Sequence, residues 1–500
     1  MRILGINGLN HDAGITLLDG KEILYAGHSE RYTNRKFDEY LSHRMFRDCN
    51  RYGDFDKVVY FEQPWLKKTR QLYAGQYQEV FNIQNTPSQY LKQFIGNTPI
   101  EYVNHHQSHA AASYYTSPYD EACIVVIDAI GEWETCSIWY AWGSHFEKRY
   151  SIKYPNSLGL WYSAMTQRLG LKPQEDEFIL MGMAGWGQVD EELKYHIRKD
   201  FFNQAWTDSD EPIDMKANLH RGCRDWDCEF YPDDGSDEWK FNIAANVQSI
   251  CEDEIRKVFK KAKELVPETD NCCYGGGVAL NCVANSIIAE EYYRKLWIIP
   301  NPGDAGSSLG CAAYVLGEHV NWNNTFLGYD VKGKYPSRKV VNELVKGNIV
   351  GINSGRAEWG PRALGNRSLL ADPRGETIKD EVNKIKHRQE FRPFAPAVLE
   401  EHAHLLFDMP VKKSQYMQFV AKCKYPKRYP AICHVDGTSR VQTVSKDDNP
   451  DFYKLIHSFY KKTGCPMVLN TSLNIKGQPI VNSYHDGVEF KVKYNVKVFS

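Results

Sequence analysis

Five hundred residues with 42% hydrophobic content exceed what one core organises, so two domains are expected and a small stapled scaffold is excluded. A formal net charge of −2 and a pI near 6.8 give no basic footprint of the kind that grips a phosphate backbone. Thirteen scattered cysteines without a repeated CxxC pair speak for free thiols, and without a leader or an apolar run of about eighteen residues a cytoplasmic protein away from membranes is expected.

In chain order, residues 2–6 read as a buried strand, 7–12 as a polar turn, 13–18 as a second strand and 22–25 as a return strand after Asp19-Gly20. His11 and Asp12 stand together in the polar turn, and a histidine beside a carboxylate is a candidate catalytic base for a hydroxyl proton. A loop histidine is more commonly a hydrogen-bonded turn residue. In the stretch NHHQSHAAAS, His105 and His109 lie four apart at the head of an alanine-rich helix. That spacing puts both imidazoles on one face, one turn apart, as a metal ion requires, and a helix-capping histidine cluster fits the pair equally. An apolar run at 122–127 stops at Asp128, and another at 296–300 leads into a loop holding Asp304. Carboxylates at two strand ends could converge on the histidines, a donor set that suits iron, zinc or manganese.

Glycine loops at 7–14, 128–132 and 275–281 punctuate the same region, with Gly131, Gly275, Gly276, Gly277 and Asn281 as candidate nucleotide contacts. Backbone amides in tight turns bind phosphate oxygens without side chains. Helix-like stretches occupy 244–265, begin again near 285, and return at 309–316. Residues 208–240 read as an irregular insertion, and the aromatics Trp206, Trp226, Phe230, Tyr231 and Trp239 could stack on a base or a sugar. Polar residues 321–337 break the pattern before a strand at 348–353, which sets the expected domains at 1–335 and 336–500. The second holds GRAEWGPRALGNRSL, whose Arg356, Arg362 and Arg367 amid glycines have an anion-binding composition. Arg388, Arg392, His434, Ser439, Arg440, Asn470 and Ser472 follow as further polar candidates, and the tail 490–500 reads as a short strand.

Three glycine loops in one domain resemble the split nucleotide site of the actin, sugar-kinase and heat-shock ATPase superfold (ASKHA). More specifically, ILGINGLNHDAG, NHHQSHAAASYY, GGVALNCVAN, NPGDAGSSLGCAAY, GRAEWGPRALGNRSLLADPR and VLNTSLNIKGQPIV, in this order, resemble the O-carbamoyltransferase family of nodulation-factor and antibiotic biosynthesis over residues 1–487. The resemblance implies an α/β protein with a duplicated ASKHA-type transfer domain followed by a YrdC-like domain. The latter would make carbamoyl-adenylate from carbamoyl phosphate and ATP with Mg²⁺. It implies a metal, usually Fe²⁺, on His105, His109, Asp128 and Asp304, with His11 taking the acceptor's proton. Gly276, Gly277 and Asn281 would hold the adenosine, and Arg356, Arg362, Arg367, Arg392 and Arg440 the phosphates and carbamoyl group. Two departures are expected to matter: Ile179 stands where the family has a lysine, and beyond Gly487 the usual helix and closing strand are expected to be missing.

The acceptor hydroxyl is left open between a sugar or small metabolite and the hydroxymethyl of a modified pyrimidine in phage nucleotide or DNA. Thirty-one tyrosines with abundant Asn and Lys lend the second its weight. A homodimer is a further expectation. An ASKHA-type ATPase without carbamoyl chemistry is the alternative, disfavoured because it has no need of the arginine-rich segment, and a tRNA threonylcarbamoyl transferase would favour a more basic surface.

Overall fold

The computed structural model describes residues 1–203 and 211–500. The apolar runs at the start of the chain form β1 (Arg2–Asn7), β2 (Gly14–Asp19) and β3 (Glu22–His28), joined later by β4 (Lys57–Tyr60) and β5 (Ile100–Tyr102). Their order is β3-β2-β1-β4-β5, with β1, β2 and β3 antiparallel and β1, β4 and β5 parallel. A second sheet comprises β6 (Glu121–Ile127), β7 (Glu134–Trp142), β8 (His145–Lys153), β9 (Asn271–Gly275) and β10 (Lys295–Ile298). Read as β8-β7-β6-β9-β10, it repeats the order and strand directions of the first. The first part of the chain is therefore built twice on one plan, within a mixed α/β protein.

Two helices, His105–Tyr115 and Ser307–Leu316, lie between the sheets, each following the last strand of one copy. Their alanine, glycine and serine content lets them pack without a polar face, and ten residues of the first are buried. Gly5 of β1 and Gly310 set the contact distance: a Cβ on Gly310 would run into the carbonyl of Ser108, and one on Gly5 into that of Ser308. Separate cores form around each sheet.

The remaining chain forms a six-stranded sheet with its own core, in the order 442–444, 395–399, 467–472, 367–371, 350–353, 497–499. Three sequence expectations are corrected. The polar stretch 321–337 is not a plain linker, because Phe326–Val331 forms a strand pairing with Gly355–Glu358. The glycine loop expected at 275–281 begins one residue later, because Gly275 is the last residue of strand β9. The helix and strand expected to be missing beyond Gly487 are present: Tyr484–Tyr494 is a helix opened by the Ser483/Asp486 capping box, and Lys497–Phe499 adds a strand parallel to Val350–Asn353. The β-rich lettering after Phe490 hides the fact that one turn of helix precedes the strand. In the insertion, helix Asp237–Leu265 begins earlier than expected, behind an Ncap at Ser236. Among the described residues no helix is long and apolar enough to cross a membrane.

Candidate metal centre and arginine cluster

His105 and His109 project from the first turns of helix His105–Tyr115; Asp128 follows β6 and Asp304 opens the turn after β10. These four side chains, from distant parts of the chain, offer one ligand atom each within 4.8 Å of one another. His105 Nε2 lies 3.1 Å from Asp128 Oδ2, 3.1 Å from His109 Nε2 and 3.5 Å from Asp304 Oδ1. His109 Nε2 lies 3.7 Å from Asp128 Oδ2 and 3.4 Å from Asp304 Oδ1. Ligands bonded at about 2.1 Å to a tetrahedral cation sit about 3.4 Å apart, so the spacing fits one divalent ion. Two carboxylates beside two buried imidazoles also leave negative charge for such an ion to neutralise. Burial alone would lower His105, but Asp304 and Asp128 outweigh it and hold the ring up at about 9.

The surrounding bonds aim the ligands. Asp128 Oδ1 accepts from the Gly277 amide at 3.0 Å, and Asp304 Oδ2 accepts from Asn10 Nδ2 at 3.1 Å, leaving one oxygen of each carboxylate for the centre. Ser307 Oγ stands 3.4 Å from His109 Nδ1. Glu132, which the sequence reading leaves as an ordinary loop residue, accepts the His105 amide at 2.9 Å and that of Gln63 at 2.8 Å. It thereby places a carboxylate on the helix N-terminus that presents the histidines. A glutamate two residues before a strand gives no sequence signal of that role. His106 points away and bonds Ser137 Oγ at 2.7 Å.

His11 sits beside this cluster, its Nδ1 3.0 Å from Asp12 Oδ2, its Nε2 donating to the Gln174 carbonyl at 2.9 Å, and its ring stacked on Phe37 at 4.7 Å. Burial opposes its charge, yet Asp12 and Asp304 raise it to about 10. Both ring nitrogens of this candidate base are engaged, Nδ1 with Asp12 and Nε2 with the Gln174 carbonyl. The glycine loop is also accounted for by packing. Gly276 has φ +88 and its Cβ would enter the Ile127 carbonyl, Gly275 lies against Ser113, and Gly131 against the His105 ring. Asn281 caps helix Cys282–Glu291 and pairs with Gln248, so it is not free to hold adenosine.

The arginines of the second part divide into two groups. Arg367 is fully buried and gives its guanidinium to the carbonyls of Asn482, Ser354, Gly355, Asn366 and Tyr329. Arg356 bonds the carbonyls of Leu24, Gly328 and Leu327 and lies over Tyr52. Arg367 thus spends its guanidinium on the backbone, which corrects its expected role on a phosphate, whereas Arg356 uses Nε and Nη2 on carbonyls and lines a separate surface pocket. Asn470 bonds Ala363 and Gln442, and Ser439 Oγ bonds the Ile432 carbonyl; both are buried structural groups. Ser472 is fixed by Lys386, and His434 by the Gly182 carbonyl at 3.0 Å. The second group is different. Burial lowers Arg362, Arg388 and Arg392, and Arg440 together with Arg392 lowers them further, with no carboxylate at ion-pair distance among the described residues. Arg440 Nε is buried without a partner. Arg392 lies over the Phe178 ring at 4.7 Å, Lys36 lies over both Phe178 and Phe37, and Phe37 stacks on His11, so a line of ring contacts runs from the cluster to His11. Ile179, next to Phe178, is buried in the core, so no amine occupies that place. The insertion aromatics mostly pack inward: Trp239 is buried under Arg168, Trp226 packs on Phe201 and Tyr231 bonds Asn242, while Phe230 stacks on His196 at the surface and Trp206 lies outside the described residues.

The structure is that of a mixed α/β protein in which four side chains could hold one metal ion and the second part carries an arginine cluster without acidic partners among the described residues. The family described as Carbamoyltransferase N-terminus matches residues 66–313, and Carbamoyltransferase C-terminus matches 341–500. The chain belongs to the O-carbamoyltransferase family. It is 31% identical to an uncharacterised protein of Synechocystis over 97% of this chain and 93% of that one. It is similar to nodulation protein NolO of Bradyrhizobium diazoefficiens, at 30% over 77% and 75% of the two chains. It is also similar to the 3'-hydroxymethylcephem-O-carbamoyltransferase of Amycolatopsis lactamdurans, at 26% over 95% and 94%.

Proposed function

We propose that this carbamoyltransferase is ATP-dependent and works at two stations, a YrdC-like one in residues 336–500 and an ASKHA-type one in residues 1–335. The observation that carries the reading is the cluster of Arg362, Arg388, Arg392 and Arg440, without a carboxylate at ion-pair distance among the described residues and linked by Phe178, Lys36 and Phe37 to His11. Half-buried guanidinium groups without acids are stabilised by an anion, and bidentate forks match phosphate and carbamoyl oxygens. Carbamoyl phosphate and ATP, with one water, would yield carbamoyl-adenylate, phosphate and pyrophosphate there. The duplicated sheets support the ASKHA reading of the first station.

At the ASKHA-type station the acceptor hydroxyl oxygen would attack the carbamoyl carbon, the bond from that carbon to the adenylate phosphate oxygen would break with its electron pair left on AMP, and the hydroxyl proton would pass to the departing phosphate. His105, His109, Asp128 and Asp304 would hold a divalent cation such as Fe²⁺, which polarises a carbonyl as a Lewis acid. The imidazolium of His11, fixed by Asp12 and Gln174, sets a positive charge where a departing phosphate would sit. Closure between Phe37 and Phe178 would keep the adenylate from water.

The test is incubation of the purified chain with Mg-ATP and labelled carbamoyl phosphate. Carbamoyl-phosphate-dependent release of pyrophosphate is expected, and its absence would overturn the proposal.

A further inference from the structure

Of the thirteen cysteines, all but Cys223 and Cys433 are buried. Cys223 meets the thioether of Met165 at 3.7 Å. Cys433 meets a second thiol, that of Cys423, and the two are hydrogen-bonded. Neither sulfur has a part in the carbamoyl chemistry proposed above.

The backbone fixes this meeting. Strand Val420–Cys423 runs antiparallel to Thr438–Arg440, with Lys422 opposite Thr438 and Ala421 opposite Ser439. The Cys423 amide donates to the Gly437 carbonyl at 2.9 Å, and the His434 amide donates to the Thr438 carbonyl at 2.8 Å, so the chain turns back beside the strand just after Cys433. Ala421, Cys423 and Ser439 share one face of the pair, and Ser439 Oγ lies 3.9 Å from Cys433 Sγ. Cys433 thus lies over the face from which Cys423 projects. The bond from Cys433 holds the Cys423 thiol below its ordinary range, and the same bond together with burial pushes Cys433 up. A thiolate is the form that reacts with oxidants. Cys123 and Cys272 also face each other, across β6 and β9, but both are wholly buried.

The surroundings of the pair give its oxidation a reach. His434, the residue after Cys433, has Nε2 3.0 Å from the Gly182 carbonyl, in helix Glu177–Ala184 of the first part. The approach is close: a Cβ on Gly185 would stand 2.1 Å from the His434 ring. The same helix carries Phe178, over which Arg392 lies, and Ser439 precedes Arg440. One peptide bond therefore separates Cys433 from a latch between the two parts, and the Ser439 it touches adjoins the arginine cluster.

We propose that Cys423 and Cys433 form a reversible disulfide site, closed by hydrogen peroxide, that pulls His434 off helix Glu177–Ala184 and slows the chemistry at the arginine cluster. Only the effect on rate rests on the transferase reading. With the shared proton on Cys423, the more accessible Cys433 sulfur attacks one peroxide oxygen. The O–O bond breaks, hydroxide leaves and takes up the proton the thiolate had released, and a sulfenic acid remains on Cys433. The Cys423 sulfur then attacks the Cys433 sulfur, the S–O bond breaks, and the hydroxyl leaves with the Cys423 proton as a second water. Two thiols lose two electrons and one peroxide gains them. Sulfurs at hydrogen-bond separation must close to about 2.05 Å, and Cys433 draws His434 with it.

The full chain, first reduced and then exposed to hydrogen peroxide, is digested after its free thiols are blocked and is mapped by mass spectrometry, beside the variants C433S and C433A. A crosslink joining Cys423 to Cys433 is expected, reversed by dithiothreitol and absent from both variants. In the oxidised parent alone, hydrogen exchange should quicken at the amides of Trp186 and Gly187, which bond the last turn of the helix, and pyrophosphate release should slow about tenfold or more. The inference is overturned by Cys433 oxidised to sulfinic acid with Cys423 untouched, by crosslinks that leave this pair out, by unchanged exchange or rate in the crosslinked chain, or by equal losses in parent and variants. A reduced chain that releases no pyrophosphate sinks the transferase reading and not this inference, because crosslink and exchange are read without it.

Discussion

Individual side chains decide how the arginine-rich segment is to be understood. Arg362 and Arg367 are five apart in one glycine-rich run, yet the first keeps its donors and the second spends them on five carbonyls. Arg362→Ala is expected to leave the thermal midpoint unchanged and to raise KM for carbamoyl phosphate by about 10–100-fold, the worth of one charge-assisted bond. Arg367→Met is expected to lower stability by about 3 kcal/mol or more, because buried carbonyls lose their donors. Kinetics and calorimetry on the two variants check the contrast. Composition alone points to both arginines alike, since the letter R says nothing of where a guanidinium's protons are used. The histidine pair is more legible: spacing on a helix is a geometric fact of sequence, and strand ends make Asp128 and Asp304 reachable. His28 supplies a second test. Burial first, and Arg31 next, lower it to about 4, and it faces Asn301 Nδ2 at 3.0 Å as a neutral ring. The unfolded chain takes up its proton near pH 6.5 and the folded one only near 4, so this term falls away as pH drops through that window, by about 3 kcal/mol at about 1.4 kcal/mol per unit. Denaturant titrations from pH 7 to 4 should show a shallower acid loss in His28→Gln than in the parent.

Among the elements, the two central helices carry the most constraint. Gly310→Ala places a methyl on the Ser108 carbonyl within the helix that presents His105 and His109. A loss of about 1–3 kcal/mol is expected, read as a lower thermal midpoint. Most elements of the first part are visible in its alternating apolar runs and turn pairs, such as residues 13–18 before Asp19-Gly20. The exceptions are instructive. Strand β9 is five residues ending in Gly275, so the following glycines mask it as part of a turn. Strand Phe326–Val331 is read as linker because asparagines precede it and an aspartate interrupts it. The closing strand Lys497–Phe499 is held by its pairing with Val350–Asn353 and by Lys497 on Glu343, neither of which is local in sequence. Side-chain pattern exposes what is amphipathic and hides what only a distant partner stabilises.

At the scale of the molecule, the metal ligands come from both copies of the repeated sheet, so an ion that binds the folded chain alone stabilises their docking. Fe²⁺ or Zn²⁺ at about 100 times Kd should raise stability by about 2.7 kcal/mol, visible as a higher thermal midpoint that a chelator reverses and Asp304→Asn abolishes. An unchanged midpoint would count against a resident ion. The repeat carries a further consequence. Superposed in strand order, β5 leads into the helix bearing His105 and His109, and β10 leads into Asp304 and its helix; the turn after β1 carries Asn10, and the turn after β6 carries Asp128. Equivalent corners of the two copies therefore supply the centre: three contribute the candidate ligands, and the fourth an amide that steadies one of them. An ancestral pair of identical subunits could have brought such matching corners together, and divergence of the two halves would then have made their shared pocket asymmetric.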